Sequence, residues 1–429
     1  MEVLTIFLSI VLFIIISLNP KNGLYLMALF LPVLGIDFYI RGFIFPFIDL
    51  IALITLLAFI FNRFFISQSK KIKLTPIKWP LIWPFAFFFL ANIISSLLSL
   101  NPGASLYYFV RWPLFLYFAY IFLPANIIDS VKTLKKTIIF IFIGATAVLF
   151  FSYLSLIGQD INNEFFRLNA WSFNGIFPFG NNHNLIAEFL NVGIFFILII
   201  KEFIKEQRKR RFINLIFILT AIAIILTFSR TAWITLVIQL SIYFFYNLKK
   251  KQKEKRNIII LVLIGIIIAI PLTWRMSILQ ANNSGSTASR VLLSEIALKA
   301  WQEKPLFGHG SGEFINLVAE DIRFTANHGA PMDSHGFIQK IAAENGLFGL
   351  LSWFFILIYL ARFAFFAVKK YYPKVKWVLP FALAVGGGIF FQLFNTSYYK
   401  GKVWLPLILF IIAIEISEKK QEKKYVPEN

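Results

Sequence analysis

The chain has 429 residues, of which 59% are hydrophobic and 15% are charged, and its formal net charge at pH 7 is +21. Because a soluble domain carries about 25% charged residues, this composition excludes an ordinary soluble protein. The chain contains no Cys, which excludes a disulfide framework and a thiolate metal site. The basic residues lie in short clusters between apolar runs, which indicates membrane topology and contact with anionic lipid and argues against nucleic-acid binding.

Apolar runs near the length that a membrane-spanning helix needs, about 20 residues, occur along the whole chain. They cover residues 3–18, 24–40, 46–66, 79–100, 105–124, 137–157, 184–203, 212–228, 231–247, 257–274, 346–368, 377–397 and 403–417. The first two are short and are separated by residues 19–23, so they form either two spans or one re-entrant hairpin. The first run lacks a basic flank and a small-residue cleavage site, which favours a retained span over a signal peptide. We therefore predict an all-α polytopic membrane protein with 12–13 transmembrane helices.

The orientation of the chain follows from the loops that carry Lys and Arg. Segments of one parity together hold 27 basic residues, at 70–78, 132–136, 201–211, 249–256, 369–376 and 419–424. We predict that these segments and the C-terminus are cytoplasmic. The outward-facing segments are then 101–105, 160–183, 229–230, 275–345 and 396–401. The expected location is the cytoplasmic (inner) membrane, which the chain crosses many times.

A long polar interval lies at residues 275–345, and the chain divides into four parts around it. Residues 1–183 hold the N-terminal transmembrane helices, 184–274 the central ones, 275–345 a large helical extracytoplasmic loop that carries the site, and 346–429 the C-terminal helices and a cytoplasmic tail.

Within this loop, apolar residues at 292/293, 296/297 and 300/301 predict an amphipathic helix over 289–302, which Pro305 ends. A tight glycine loop at 308–312 and a short helix at 313–321 follow. We expect Asp333 or Ser334 to cap a third helix that continues into the next span.

Ser229 and Arg230 stand in a tight turn between two apolar runs. We expect Ser229 to cap the following helix and Arg230 to lie in its first turn. A helix N-terminus presents free N–H groups and partial positive charge, and Arg adds a planar bidentate fork, so this position suits a phosphate. The alternative is an interfacial Arg that extends to lipid headgroups.

Arg290 is predicted to open the amphipathic helix, three and seven residues before Leu293 and Ala297 on the same apolar stripe. A charge on the buried edge of a helix needs a partner. That partner is either a phosphate or an acid such as Glu313 or Asp321.

His335 is also predicted at a helix start, where the helix field keeps an imidazole neutral and suited to a general base. The charge of Asp333 either opposes the helix field and raises the pKa of His335 or orients its ring. Asp333 and Ser334 are predicted to contact substrate. A single His is more often structural, but this one lies near the bilayer edge on the same side as the two arginines. His309 and His328 are weaker candidates.

Further residues are predicted to contact substrate. Arg111 lies inside an apolar span, where a charge is costly and is a functional hypothesis by default. It either reaches a phosphate or pairs with Asp49 or Glu188. His183 and Asn184 directly precede a span and are expected to line the same outer mouth.

Motifs of several other chemistries are missing from the sequence. It has no Asp-x-Asp pair in an early outer loop to hold a divalent metal, no P-loop and no Gly-x-Ser-x-Gly elbow. We therefore predict a mechanism without metal or cofactor, in which Arg acts as electrophile and His as base.

These residues resemble the superfamily of O-antigen ligases and O-antigen polymerases, which also holds some protein O-oligosaccharyltransferases. The family's ligase motif is His, then Asn, Ser or Gln, nine residues, Gly, two residues, then Gly, Thr or Tyr. Here His335 is followed by Gly336, nine residues, Gly346, two residues and Gly349, and only Gly336 departs from the motif. That departure leaves ligase and polymerase both open. Further matching segments are Ser229-Arg230, Ser289-Arg290 and the run Trp301…Pro305…Gly308-His309-Gly310.

The resemblance implies a GT-C-like, metal-independent, inverting glycosyl transfer from a glycan on undecaprenyl pyrophosphate. Carried over by position, Arg230 and Arg290 would hold the pyrophosphate and His335 would deprotonate the acceptor hydroxyl. The acceptor would be lipid A-core, a glycan or a protein, as in lipopolysaccharide or other polysaccharide biosynthesis.

Two alternatives remain open from the sequence. Within the class, the chain is a polymerase or a protein O-oligosaccharyltransferase; outside it, a lipid-linked glycan flippase or other transporter. Transporters often show internal repeats and midplane sites on broken helices, and neither is clear in this sequence.

Overall fold

The computed structural model of the chain describes residues 2–40, 43–66, 75–157, 159, 167–247 and 285–425. The longer described α-helices are α1 (Glu2–Leu18), α2 (Pro20–Leu29), α3 (Phe47–Phe61), α4 (Ile82–Leu97), α5 (Pro102–Ile127), α6 (Val131–Leu154), α7 (His183–Phe203), α8 (Gln207–Leu226), α9 (Arg230–Asn247), α10 (Gly285–Glu303), α11 (Phe314–Glu320), α12 (Ile322–His328), α13 (Phe337–Tyr371), α14 (Val378–Phe391) and α15 (Gly401–Tyr425). π-helical turns at Val110–Leu114 and Phe118–Phe122 interrupt α5, and another at Asn62–Ile66 extends α3. The predicted span at 257–274 lies outside the described residues.

Several of these helices are suited to a lipid bilayer. Within the described ranges, five are long and apolar enough to cross a membrane: Phe47–Ile66, α5, α6, α7 and α13. Shorter apolar helices are Thr5–Leu18, α4 and Val378–Phe394. The chain is therefore an all-α polytopic membrane protein, as the composition predicts, while the total of 12–13 spans stays a prediction.

The second predicted span, 24–40, is wrong. The helix there, α2, ends at Leu29, and residues Asp37–Ile40 (β1) pair antiparallel with Phe43–Pro46 (β2). Pro32 lacks the backbone N–H that a continuing helix would use, and the following aromatic and β-branched residues favour extended structure. A run of this hydrophobicity satisfies the length rule for a span even though a Pro divides it.

The centre of the bundle is α7. All its residues from Ile186 to Ile200 are buried, and it packs against α6, α8 and α14 in the main hydrophobic core. The first half of α15 is equally buried, from Gly401 to Ile414. Because α7 begins at His183, the core helix brings two of the predicted site residues to one end of the bundle.

The long polar interval forms a small structure of its own. Leu293, Ile296, Ala297 and Ala300 of α10 are buried against α11, α12 and the first turns of α13. This confirms the apolar stripe predicted for α10 and the short helix predicted over 313–321. The helix α12 has no counterpart in the prediction.

Candidate active site

The helix α13 is broken at Gly346, inside the predicted ligase-like motif. Gly346 has φ 63° and ψ −158°, a backbone conformation essentially restricted to glycine. The break separates the N–H groups of Leu347 and Phe348 from the carbonyls of Ala343 and Glu344, which a continuous helix would pair.

Residues 305–310 satisfy all four of these groups. Leu347 N and Phe348 N donate to the carbonyls of Pro305 and Leu306, at 2.8 and 3.1 Å. In return, the carbonyls of Ala343 and Glu344 accept from His309 N and Gly310 N, at 3.0 and 2.9 Å. We call these four hydrogen bonds the loop clamp. It fixes the glycine loop of the interval onto the break in α13.

Close approach explains the glycines of the clamp. A Cβ on Gly310, whose φ is 121°, would lie 2.6 Å from the Ser99 side chain. A Cβ on Gly346 would lie 2.5 Å from the Leu306 backbone. A larger residue at either position would separate the loop from the bundle.

A buried polar network continues the clamp into the transmembrane helices. Ser311 Oγ donates to Asn92 Oδ1 at 2.8 Å and accepts from Asn345 Nδ2 at 3.0 Å. Ser105 Oγ donates to the Ser311 carbonyl at 2.8 Å. The network joins α4, α5 and α13 around the loop, so the interval is held rigidly at this end of the bundle.

His335 lies just outside α13, whose cap residue is Gly336. Neither Asp333 nor Ser334 caps this helix, which corrects the prediction. Asp333 instead accepts from the buried Lys340 Nζ at 2.6 Å and from Ser334 N at 2.9 Å. The Ser334 hydroxyl is buried and donates to the Gly336 carbonyl at 2.7 Å. These contacts hold the loop that carries His335.

The electrostatic surroundings of His335 favour the neutral ring. Burial lowers the pKa of His335, the charge of Arg290 lowers it further, and the charge of Asp333 opposes both. The prediction of a neutral imidazole therefore rests on a different cause from the helix field, because the ring lies before the helix and not in its first turn.

Arg290 lies in the second turn of α10 and not at its start, because α10 begins at Gly285. Leu293 and Ala297, the next residues on its stripe, are buried as predicted. Within the described part of the chain, Arg290 Nε is buried and has no hydrogen-bond partner. Burial lowers the pKa of Arg290, and the charge of Arg230 acts in the same direction.

The acids expected as alternative partners of Arg290 are used elsewhere. Asp321 Oδ2 accepts from Arg323 at 2.8 Å, and Glu313 Oε2 accepts from Asn316 at 2.8 Å. Among the described ion pairs, none involves Arg290. Of the two alternatives, a pairing of Arg290 with these acids is absent from the described ion pairs, and the binding of a phosphate stays a prediction.

Arg230 is the first residue of α9, as predicted, and is exposed. Ser229 precedes it, and the Ser229 carbonyl accepts the first helical hydrogen bond, from Trp233 N at 3.0 Å. The Ser229 hydroxyl donates to Asn184 Oδ1 at 2.8 Å. Asn184, predicted to contact substrate, thus joins the N-terminal ends of α7 and α9.

His183 is the first residue of α7, which Asn182 caps through hydrogen bonds from Asn184 N and Leu185 N at 3.0 and 3.1 Å. The charges of Arg167 and Arg290 both act on its ring. Arg167 is absent from the predicted set. The available signal was its position as an isolated Arg in a segment predicted to face outward, where positive charge is uncommon.

Arg111 belongs to a different cluster. Its Nη1 lies 3.7 Å from Asp49 Oδ2, and its Nη2 donates to the Ile44 carbonyl at 3.4 Å. Of the two acids predicted as partners, Asp49 is therefore correct, while Glu188 pairs with Lys402. None of these contacts involves the residues around His335.

The remaining histidines have local roles. The His309 ring lies 3.0 Å from the Ala300 carbonyl, so it supports the glycine loop. The half-buried His328 packs on the Phe324 ring at a centroid distance of 5.0 Å.

The site that results combines several cations with two imidazoles. Arg290 acts electrostatically on His183 and His335, Arg230 acts on Arg290, and Arg167 acts on His183. Asp333, the carboxylate that acts on His335, is itself paired with Lys340. The arrangement can bind a strongly anionic group and hold a neutral imidazole beside it.

Comparison with known proteins places part of the chain in a family. A search of curated proteins found no match. Residues 215–354 match the family model described as O-antigen ligase, and this stretch contains Arg230, Arg290, His335 and both partners of the loop clamp. It is roughly a third of the chain. Residues 215–354 therefore form an O-antigen ligase family domain, as the motifs of the sequence indicated.

Proposed function

We propose that the chain transfers a glycan from a lipid-linked pyrophosphate to an acceptor hydroxyl, at the outer face of the cytoplasmic membrane. The family domain supports a glycan ligase or polymerase type of enzyme. The observation that carries the finer proposal is the buried Arg290 Nε, which has no hydrogen-bond partner among the described residues and lies within electrostatic reach of Arg230 and His335.

The two arginines bind the anionic leaving group in this proposal. A pyrophosphate gains negative charge as the glycosidic bond breaks, and guanidinium groups fixed in place stabilise that charge. Arg290 is held by the buried stripe of α10, and Arg230 by the start of α9.

His335 serves as general base. The acceptor oxygen forms a bond to the anomeric carbon while the bond from that carbon to the pyrophosphate oxygen breaks. The acceptor proton passes to the neutral His335 ring, and the lipid pyrophosphate leaves with the bonding electron pair. A single displacement inverts the anomeric centre, and no metal or cofactor takes part.

The substrates follow from the family and the membrane setting. The donor is a glycan on undecaprenyl pyrophosphate, and the acceptor is lipid A-core, a glycan or a protein. A polymerase would use the same residues with a lipid-linked glycan as acceptor. The clustering of Arg230, Arg290 and His335 at one end of the bundle favours transfer over transport through the midplane.

The test is a reaction of the purified full-length chain with a labelled lipid-linked glycan. We expect the label on a new covalent anchor, with inverted anomeric configuration. His328→Ala, on a half-buried histidine of the same loop that packs on Phe324, should react like the native chain, whereas His335→Ala should not. Movement of intact donor across a vesicle membrane without a new covalent product would identify a flippase and overturn the proposal.

A further inference from the structure

A second group of cations lies outside the residues assigned to the donor. Arg111 Cζ lies 4.3 Å from the centre of the Trp112 ring, and Lys400 Nζ lies 4.8 Å from the same ring. Residue 111 is in the first π-helical turn of α5, and residue 400 directly precedes α15. Segments far apart in sequence thus bring two positive charges to one indole. We call Arg111, Trp112, Tyr399 and Lys400 the indole cluster.

Asp49, the acid paired with Arg111, also accepts a hydrogen bond from a tyrosine outside the cluster. Asp49 Oδ1 accepts from the Tyr120 hydroxyl at 2.7 Å, and its Oδ2 is 3.7 Å from Arg111. Among the described hydrogen bonds and ion pairs, none involves Lys400 Nζ. Burial lowers the pKa of Lys400, and the charge of Asp49 opposes this shift. Among the described residues, the half-buried Lys400 side chain therefore has no hydrogen-bond acceptor.

The aromatic members provide flat apolar surface beside this charge. The Trp112 and Tyr399 ring centroids are 5.0 Å apart with the planes at 53°, and Lys400 lies 5.3 Å from the Tyr399 ring. All the members are partly exposed. An aromatic face packs against the apolar face of a sugar ring, while an ammonium and a guanidinium bind a phosphate or carboxylate on that sugar.

The indole cluster adjoins the loop of His335 through one tyrosine. Besides Lys400, the Tyr399 ring contacts Lys340, whose Nζ lies 5.6 Å from the ring centre. Lys340 in turn donates to Asp333, two residues before His335. A ligand on the cluster would therefore lie near the proposed base but on residues distinct from Arg230 and Arg290.

We propose that the indole cluster is a second binding site, which takes a saccharide that carries a phosphate or carboxylate. In the transfer proposed above, on which this role rests, the bound saccharide is part of the acceptor. Lys400 binds the anionic group, Arg111 adds positive charge beside it while paired with Asp49, and Trp112 packs on the sugar ring. An acceptor held here presents a hydroxyl to His335 while the donor pyrophosphate occupies Arg230 and Arg290.

The test measures binding of small probes to the purified full-length chain by saturation-transfer NMR, which detects weak ligands. The probes are sucrose 6-phosphate, sucrose and inorganic phosphate. We expect sucrose 6-phosphate to bind at least about tenfold more tightly than either simpler probe, because only it uses both the charge and the ring. Lys400→Gln should weaken this binding about tenfold or more, and Lys400→Arg, which keeps the charge, should restore most of it.

Matched variants separate the two sites. Lys299→Gln removes an exposed lysine of α10 and should leave sucrose 6-phosphate binding unchanged. Arg290→Gln should weaken binding of inorganic pyrophosphate but not of sucrose 6-phosphate. Unchanged sucrose 6-phosphate binding in folded Lys400→Gln, or equal binding of inorganic phosphate and sucrose 6-phosphate, would overturn the second site. Unchanged pyrophosphate binding in Arg290→Gln would instead count against the donor site.

Discussion

Glu188 and Lys402 form a buried ion pair, with 2.6 Å between Glu188 Oε2 and Lys402 Nζ and each side chain only 2% exposed. Glu188 also accepts from Gln392 Nε2 and Asn395 Nδ2, both at 2.7 Å. The carboxylate therefore joins α7 to α15 and to the segment before it. That segment ends at Lys400, so this pair positions one wall of the indole cluster relative to the start of α7.

Removal of one partner of this pair should destabilise the bundle. Lys402→Met leaves the Glu188 carboxylate buried without its counter-charge, and we expect a loss of about 3–5 kcal/mol in the free energy of unfolding. Unfolding in a denaturing detergent titration measures the loss. The exposed pair Lys209–Glu206 is the control, and Lys209→Met should cost less than about 1 kcal/mol. Equal losses in the two variants would contradict the prediction.

Gly346→Ala should weaken the loop clamp. A residue with a Cβ in this backbone conformation costs about 1–3 kcal/mol before its contact with the Leu306 backbone is counted. We expect lower thermal stability and faster proteolysis of residues 305–310. Gly386→Ala is the control, because a Cβ there meets nothing within 4 Å and Ala favours a helix. A Gly346→Ala protein as stable as Gly386→Ala would show that the break is not required.

Arg230 and Arg290 should both affect donor binding and turnover. Arg230→Lys keeps the charge but loses the bidentate fork, and Arg290→Ala loses both. We expect turnover to fall about 10²–10³-fold in each, with weaker donor binding. Arg323→Lys, which alters the ion pair of the exposed Arg323 with Asp321, serves as the control and should retain activity. Normal donor affinity in both site variants would remove the arginines from the donor site.

His335→Ala should separate catalysis from binding. Loss of a general base costs on the order of 10²–10⁴ in rate. Donor affinity should persist, because in the proposal the imidazole does not bind the phosphates. A stability measurement on the same variant distinguishes a structural role, in which the folded fraction falls but each folded molecule stays active.

The pH dependence of turnover follows from the lowered pKa of His335. The base must be neutral, so turnover should stay constant as the pH falls through 6.5, the ordinary value for His, and decline only below the lowered pKa. Below it, the rate should fall about tenfold per pH unit, as one proton is bound. Arg290→Gln removes a cationic neighbour and should raise the apparent pKa, whereas Arg323→Gln should not. A decline that begins above pH 6.5 would argue against His335 as the base.

Local patterns predicted much of the fold and site. The apolar stripe of α10 and the helix start at Arg230 depend on residues within a turn or two of each other, so periodicity and the Ser-Arg turn were sufficient. The hairpin of β1 and β2 was missed because its residues are as apolar as a span.

Long-range contacts account for the rest. The break at Gly346 is stabilised by hydrogen bonds from residues 305–310, which no local pattern around Gly346 contains. Likewise, the contacts that place Arg111 near Asp49 and Lys400 join segments that are distant in the sequence. The sequence left a phosphate, Asp49 and Glu188 open as the partner of Arg111, and the three-dimensional contact selects Asp49.

The loop clamp has a consequence for how this part of the chain can vary in length. Because backbone hydrogen bonds hold residues 305–310 and 343–348 together, the segment between them is a loop whose two ends are fixed next to each other. Its residues 329–332 are exposed and outside any helix, between α12 and the turn that carries His335. Insertions or deletions at this point can alter what the loop presents to a partner without moving Gly346 or the glycines that face it.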